Sequence, residues 1–350
     1  MRNTSFFSSI ILGGFQVYAK IKLLFFRLTL MKNLSQSDTI SVGFEIQDTS
    51  SDGWQALKKA TLSAASKNDS TTYCTLLYDF DSQLKLLEAN KATFIGKGVG
   101  DTSLNSYRKL STGNQTLFEK IYLKNTDDLS KLNWFYQHLH PQLKTIDIYT
   151  PALIKTNCGH LTCALYFEFL SAKLDNYPSF LSRAIEVSLK LSQLRVSEQH
   201  SSPNFHDFRQ HAFYQASKRI AQKWLSEQGK NNFNFDNYEQ KLAALPKWPA
   251  HGDLHGKNLG KPNIVIDWDN CGLYPLGFDI AVSMSKSLHI ANIAHLRYFL
   301  NHKIKPFIDK KEWPAFEQSI YFFLFVFYAG RIGRKITFKT WQALASNAKQ

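Results

Sequence analysis

The residues best suited to chemistry fall within one short stretch. His251-Gly252-Asp253-Leu254-His255-Gly256-Lys257-Asn258 is followed by Ile264-Val265-Ile266-Asp267-Trp268-Asp269. Asp253 and Asn258 share a loop, and Asp267 follows a short apolar strand, Ile264 to Ile266. Asn258 and Asp267 offer hard oxygen ligands, the kind that Mg²⁺ takes from protein while phosphate and water supply the rest. Asp253 is then free to accept a proton from a substrate hydroxyl. His251 and His255 stand four apart, which would suit a metal on a helix, but Gly252 and Gly256 oppose a continuous helix. A His-held metal is therefore not expected.

A second candidate lies far upstream. Gly96-Lys97-Gly98-Val99-Gly100 is glycine-rich, and glycines let backbone N–H groups approach phosphates closely. A surface hairpin turn explains the same residues. A dinucleotide fingerprint would need a helix opening directly after the glycines. Here Asp101-Thr102-Ser103 leads on towards a strand at Thr116 instead.

The elements that must position these residues are of two kinds. Apolar, β-rich runs bounded by Gly, Asn and Pro read as strands: Phe94-Ile95, Thr116 to Tyr122, Pro151 to Ile154, and Cys163 to Phe169. Leu129, Leu132, Phe135, Tyr136 and Leu139 recur at helical spacing between the second and third. From about Leu170 the pattern becomes helical, with helices around Phe180 to Leu194, Phe213 to Leu225 and Tyr238 to Leu245. Tyr321 to Tyr328 has no polar face and predicts a buried helix. Core filling is the main reading of its aromatic rings; a cage for a quaternary ammonium is the other. The fold class expected is α+β, divided into an N-terminal arm (1–37), an extension without an assigned role (38–92), a sheet lobe (93–170) and a helical lobe (171–350).

The blocks HGDLHGKN, IDWD and Gly277-Phe278-Asp279-Ile280-Ala281, in that order, resemble the aminoglycoside phosphotransferase and choline kinase superfamily, whose members have a two-lobed protein-kinase-like fold. The resemblance covers about residues 93–330. It implies an ATP- and Mg²⁺-dependent phosphotransferase with an alcohol group as acceptor. In it, Asp253 is the catalytic base, Asn258 and Asp267 hold magnesium, and His251 and Asp279 brace the catalytic loop. It also implies that Gly96, Gly98 and Gly100 meet the nucleotide phosphates together with Lys120. Phe167-Glu168-Phe169-Leu170 matches the adenine-binding hinge. Two departures stand out. Leu129 to Leu139 contains no acid to pair with Lys120, and the link from Asn258 to Asp267 leaves little room for a hairpin. The first motivates an alternative, a catalytically weak nucleotide-binding regulator.

Composition narrows the setting. The 350 residues are 44% hydrophobic and 20% charged, which excludes a mainly disordered chain. Four cysteines without a C-x₂-C pair exclude a disulfide-built scaffold and argue against structural zinc. The net charge of +14 is concentrated at the ends. Arg2, Lys20, Lys22, Arg27 and Lys32 precede the first acid, Asp38, and Arg331, Arg334, Lys335, Lys339 and Lys349 close the chain without one. The body is close to balanced, so no nucleic-acid partner is expected. The N-terminal arm mixes basic and apolar residues, which suits peripheral contact with a membrane, or it is an extension ahead of Met31. A cytoplasmic location, with peripheral contact at the inner membrane face as a variant, goes with ATP use. After Ile280 the only acids are Asp309, Glu312 and Glu317. A polycationic acceptor is therefore disfavoured against a neutral or anionic one, such as a sugar or an envelope glycan or lipid precursor. Choline or another amino alcohol remains the alternative.

Overall fold

The computed structural model describes residues 91–97, 103–112, 115–123, 127–158, 162–170, 179–196, 206–230 and 233–348. The expected N-terminal arm, nearly all of the extension, Gly98 and Gly100 lie outside the described residues. Two compact units form: one runs to Leu129 and includes Pro151–Leu170, and the second takes Ser130–Thr150 and Ser171–Gln350.

The first unit is a five-stranded antiparallel sheet. Its strands are β1 (Lys91–Lys97), β2 (Ser103–Thr112), β3 (Gln115–Leu123), β4 (Leu153–Cys158) and β5 (Thr162–Glu168), in the order β1-β2-β3-β5-β4. β2 has no strand pattern in the sequence. Its apolar residues Leu104, Tyr107 and Leu110 recur every three positions, whereas a regular strand alternates every two. The register supplies the reason: pairing with β3 shifts between Ser103 and Tyr107, and pairing of β1 with β2 shifts between Phe94 and Gly96. Such bulges break the alternation that a sequence pattern relies on. On β3, Leu117, Glu119, Lys120 and Tyr122 are buried. Cys158 and Cys163 face each other across β4 and β5 and form a disulfide.

The second unit is mainly helical. Its first helical run starts in α1 (Asp127–Trp134), passes through a wide turn at Phe135–Leu139 and continues to Ile146. It is longer than the apolar periodicity indicates. Pro141 sits in the first turn of a new helical segment, where its missing N–H costs nothing. Then follow α2 (Ser179–Leu191), α3 (Ala212–Glu227), α4 (Phe235–Ala243), α5 (Gly277–Ser287), α6 (Ile293–Phe299), α7 (Trp313–Tyr328) and α8 (Phe338–Asn347). Every residue of α7 from Ser319 to Tyr328 is buried, as its unbroken apolar run requires. Its rings pack on Tyr214, Phe233, Phe278 and Trp341. They are therefore core. Gly277 opens α5 against α7: a Cβ there would lie 2.5 Å from Ser319 Oγ and 2.8 Å from Ile320 N. Only glycine lets α5 start this close, and the Gly277 N–H donates to Ser319 Oγ at 3.1 Å.

Four short strands carry the chemistry-bearing loops. β6 (Lys247–Ala250) pairs with β9 (Gly272–Pro275), and β7 (Leu259–Gly260) pairs with β8 (Ile264–Val265). The second pair shows that the short link from Asn258 to Asp267, expected to leave little room for a hairpin, does hold one. Two residues per strand suffice because the hairpin is held from outside. Val265 N–H donates to Tyr149 O at 2.8 Å, Tyr149 N–H donates to Asn263 O at 2.9 Å, and Arg183 donates to Asn263 Oδ1 at 2.8 Å and to Pro262 O.

Candidate active site

The site grows from the junction of β6 and α5. β6 ends at Ala250, and the chain must turn sharply at Gly252, which has φ of +82°. A Cβ at Gly252 would lie 1.9 Å from Asn270 O, so both backbone conformation and space demand glycine. Asp279, in the first turn of α5, fixes this turn. Its carboxylate accepts the His251 N–H at 2.7 Å and the Gly252 N–H at 2.8 Å. Burial pushes the Asp279 carboxyl up to about 6, although the two backbone N–H groups hold it down.

The buried His251 ring ties the loop to the β7–β8 hairpin. Its Nδ1 accepts the Asp253 N–H at 3.2 Å, which leaves Nε2 to donate to Ile266 O at 2.9 Å. Burial lowers its pKa and keeps the ring neutral, as that pairing requires. Trp268 packs against His251 with ring centres 4.6 Å apart and stacks on Phe135 at 4.5 Å. The Trp268 indole N–H is shared between Thr150 Oγ1 and Val265 O.

Asn258 is the second tie. Its Nδ2 donates to Asp253 O at 3.0 Å, and its own carbonyl accepts the Ile266 N–H at 3.0 Å. This fixes the amide so that Oδ1 is the atom left for a cation. Asp267 has φ of 68°, a left-handed conformation that Asp adopts more readily than most residues. An amide oxygen and a carboxylate fit Mg²⁺, which is usually held by few protein ligands plus phosphate. Among the described residues no group of three or more His, Cys, Asp or Glu side chains is arranged to hold a metal.

The Asp253 carboxylate is gripped on both oxygens. Lys286 Nζ donates to Oδ1, and His255 Nε2 lies 3.4 Å from Oδ2. His255 is oriented by its Nδ1, which accepts the Lys257 N–H at 3.1 Å. Burial raises the Asp253 pKa, but the His255 hydrogen bond and the Lys286 charge outweigh it and hold the carboxyl well below the usual range. His255 and Lys286 were missed as site residues in the sequence. A signal existed: Asp279, Ser283 and Lys286 recur at i, i+4 and i+7, a polar stripe along one side of the helix. Ser283 completes it, its one O–H shared between Leu254 O at 3.0 Å and Asp279 O at 2.9 Å.

In the first unit, Lys120 is buried on β3 opposite Leu165 of β5, with its Nζ 5.4 Å from the Tyr122 ring centre. Gly96 lies in β1 at the shifted register with β2. Phe167 is buried on β5 opposite Phe118. Phe169 follows the strand, its N–H donating to Thr116 O and its ring under Lys109 Nζ at 4.7 Å.

The profile described as "Phosphotransferase enzyme family" matches residues 96–300, more than half of the chain, and the chain belongs to that family. No curated protein matches it. Among solved structures it is similar to choline kinase LicA from Streptococcus pneumoniae, with 13% identity, coverage of 76% of this chain and 96% of that one, and a TM-score of 0.44. It is also similar to a microcompartment-associated aminopropanol kinase (13% identity, 79% and 92% covered, TM-score 0.43). A third is the ternary complex of streptomycin and ATP with APH(2")-IIa (12%, 78% and 99%, TM-score 0.46).

Proposed function

We propose that the protein is an ATP- and Mg²⁺-dependent kinase that phosphorylates a hydroxyl of a small molecule, sugar or envelope glycan or lipid precursor. The observation that carries this reading is the ionised Asp253 on a loop pinned by Asp279, within the family-matched region. Asp253 orients the acceptor hydroxyl and takes its proton as the O–P bond forms. His251 and Asp279 keep that carboxylate in place. Asn258 and Asp267 would hold magnesium, which when bound neutralises charge on the phosphates. Lys120, with Gly96, Gly98 and Gly100, would meet the nucleotide phosphates, and the backbone around Phe167 and Phe169 would meet adenine.

The acceptor is neutral or anionic rather than polycationic. Supporting this, a lysine sits directly on the base, and the chain after Ile280 holds few acids. An amino alcohol such as choline is the second reading, and the aromatic rings that favoured it are occupied in the core of the second unit. The regulator reading has less support, because Asp253, Asn258 and Asp267 are all present. No helix among the described residues is long and apolar enough to cross a membrane. ATP use favours a cytoplasmic location. The test is ADP release with ATP, Mg²⁺ and a panel of sugars, amino alcohols and aminoglycosides. Turnover with at least one acceptor is expected; no turnover with any would count against the reading.

A further inference from the structure

Lys286 meets the Asp253 carboxylate from outside the loop. It stands on α5, in the turn after Ser283, and reaches back across 33 residues of sequence to Asp253 Oδ1. Its side chain is 20% exposed and lies over the Phe213 ring, with Nζ 5.1 Å from the ring centre. An ammonium held by a carboxylate and an aromatic face is fixed in place, because both partners attract cations. It also has three donor hydrogens, so Asp253 does not saturate it.

An acceptor hydroxyl must come within about 3 Å of Asp253 to lose its proton. Any group borne one or two carbons from that hydroxyl then lies within a few ångströms of Lys286 Nζ. His255, on the other carboxylate oxygen, adds no negative charge. The position beside the base therefore repels an ammonium on the acceptor and offers an unsaturated donor to a carboxylate or phosphate. Resting on the phosphotransferase reading, we infer that Lys286 is a specificity residue that selects an acceptor carrying an anionic group close to the hydroxyl that is phosphorylated.

The paired carboxylate does not cancel this preference. Asp253 must turn a lone pair to the hydroxyl, while Lys286 retains two N–H groups for a second anion. Bridging two anions is a common use of lysine, a compact charge with rotatable donors. At an effective dielectric constant of about 20, one charge at about 5 Å is worth roughly two decades in an equilibrium constant. The opposite charge of Asp253 and screening at 20% exposure reduce that to about one decade.

The experiment uses two sets of acceptors matched except for charge: glycerate, glycerol and 3-amino-1,2-propanediol, and glucuronate, glucose and glucosamine. Initial rates of ADP release are measured with the full chain, ATP and Mg²⁺. In at least one set kcat/KM should be about tenfold or more higher for the anionic member than for the neutral one, with the cationic member lowest. K286M should abolish that ratio and K286R should keep it. Raising ionic strength should raise KM for the anionic acceptor and leave the neutral one unchanged, a readout that needs no variant to fold. The inference is overturned if the wild-type chain prefers neutral or cationic members, if K286M keeps the anionic preference, or if no set member is phosphorylated. Turnover of aminoglycosides or choline without an anionic preference overturns the inference alone. Silence with acceptors of every charge overturns the phosphotransferase reading with it.

Discussion

Asp279→Asn separates two quantities that usually move together, stability and activity. The native carboxylate accepts two buried backbone N–H groups, at 2.7 and 2.8 Å. An amide has one acceptor oxygen, so one bond survives and the other N–H faces an NH₂ group. The lost charge-assisted bond costs about 1.5–3 kcal/mol. Against this stands the burial of the charge itself. The Asp279 pKa is raised from its ordinary 3.8 to about 6 even with both N–H groups holding it down, so keeping it ionised at neutral pH carries a net cost to the folded state that the neutral amide does not incur. The two effects oppose each other, and thermal melting of D279N at pH 7.5 should shift by no more than about 4 °C. Activity has no such compensation. Gly252 loses its anchor, and Asp253 is the next residue. Misplacement by about 1 Å should lower turnover about 10²-fold. The assay pairs a melting curve with ADP release under saturating ATP. Unchanged turnover in a folded D279N would refute the loop argument, and a fall of more than about 15 °C would refute the cancellation.

Three further outcomes follow from the same geometry. Gly252→Ala should be destabilised by more than about 3 kcal/mol in chemical denaturation, because its Cβ would collide with Asn270 O in a conformation alanine avoids. Asp267→Ala should weaken nucleotide binding by calorimetry in Mg²⁺ while leaving the weaker metal-free binding unchanged. Stability should fall on acidification from pH 7 to 4. The His211 pKa is lowered by burial to about 3 and that of His206 to about 4, so between those values and 6.5 the unfolded chain binds more protons than the folded one. Asp279 opposes them between about pH 6 and 4, but by pH 4 His211 alone contributes about 3 kcal/mol and His206 adds to it. His211→Phe, which keeps the ring packed on Phe278 and Tyr274, should flatten the pH dependence of the melting temperature.

Much of the candidate site is legible in the chain because its residues are local. His251, Asp253, Asn258 and Asp267 lie on one loop and one hairpin, and their order carries the family resemblance. Asp279 belongs to the same short run. Lys286 and His255 were harder to see for different reasons. Lys286 reaches Asp253 only because α5 brings its seventh residue after Asp279 back over the loop. His255 read as half of a rejected metal pair, and its role depends on the turn that aims Nε2 at Asp253. In the fold, the buried stretch Ser319–Tyr328 of α7 and the apolar strands β3 and β5 were plain from composition. β2 was not, because its bulges hide the alternation that marks a strand. The disulfide of Cys158 and Cys163 had no spacing signal, since it depends on the β4–β5 register.

The proposed role of Asp253 as the base of a phosphoryl transfer is tested most directly by ADP release by Asp253→Asn beside its ATP binding. Turnover with the best acceptor should fall by about 10²-fold or more while the ATP dissociation constant stays within about threefold of wild type. A D253N protein that turns over at the wild-type rate would contradict it.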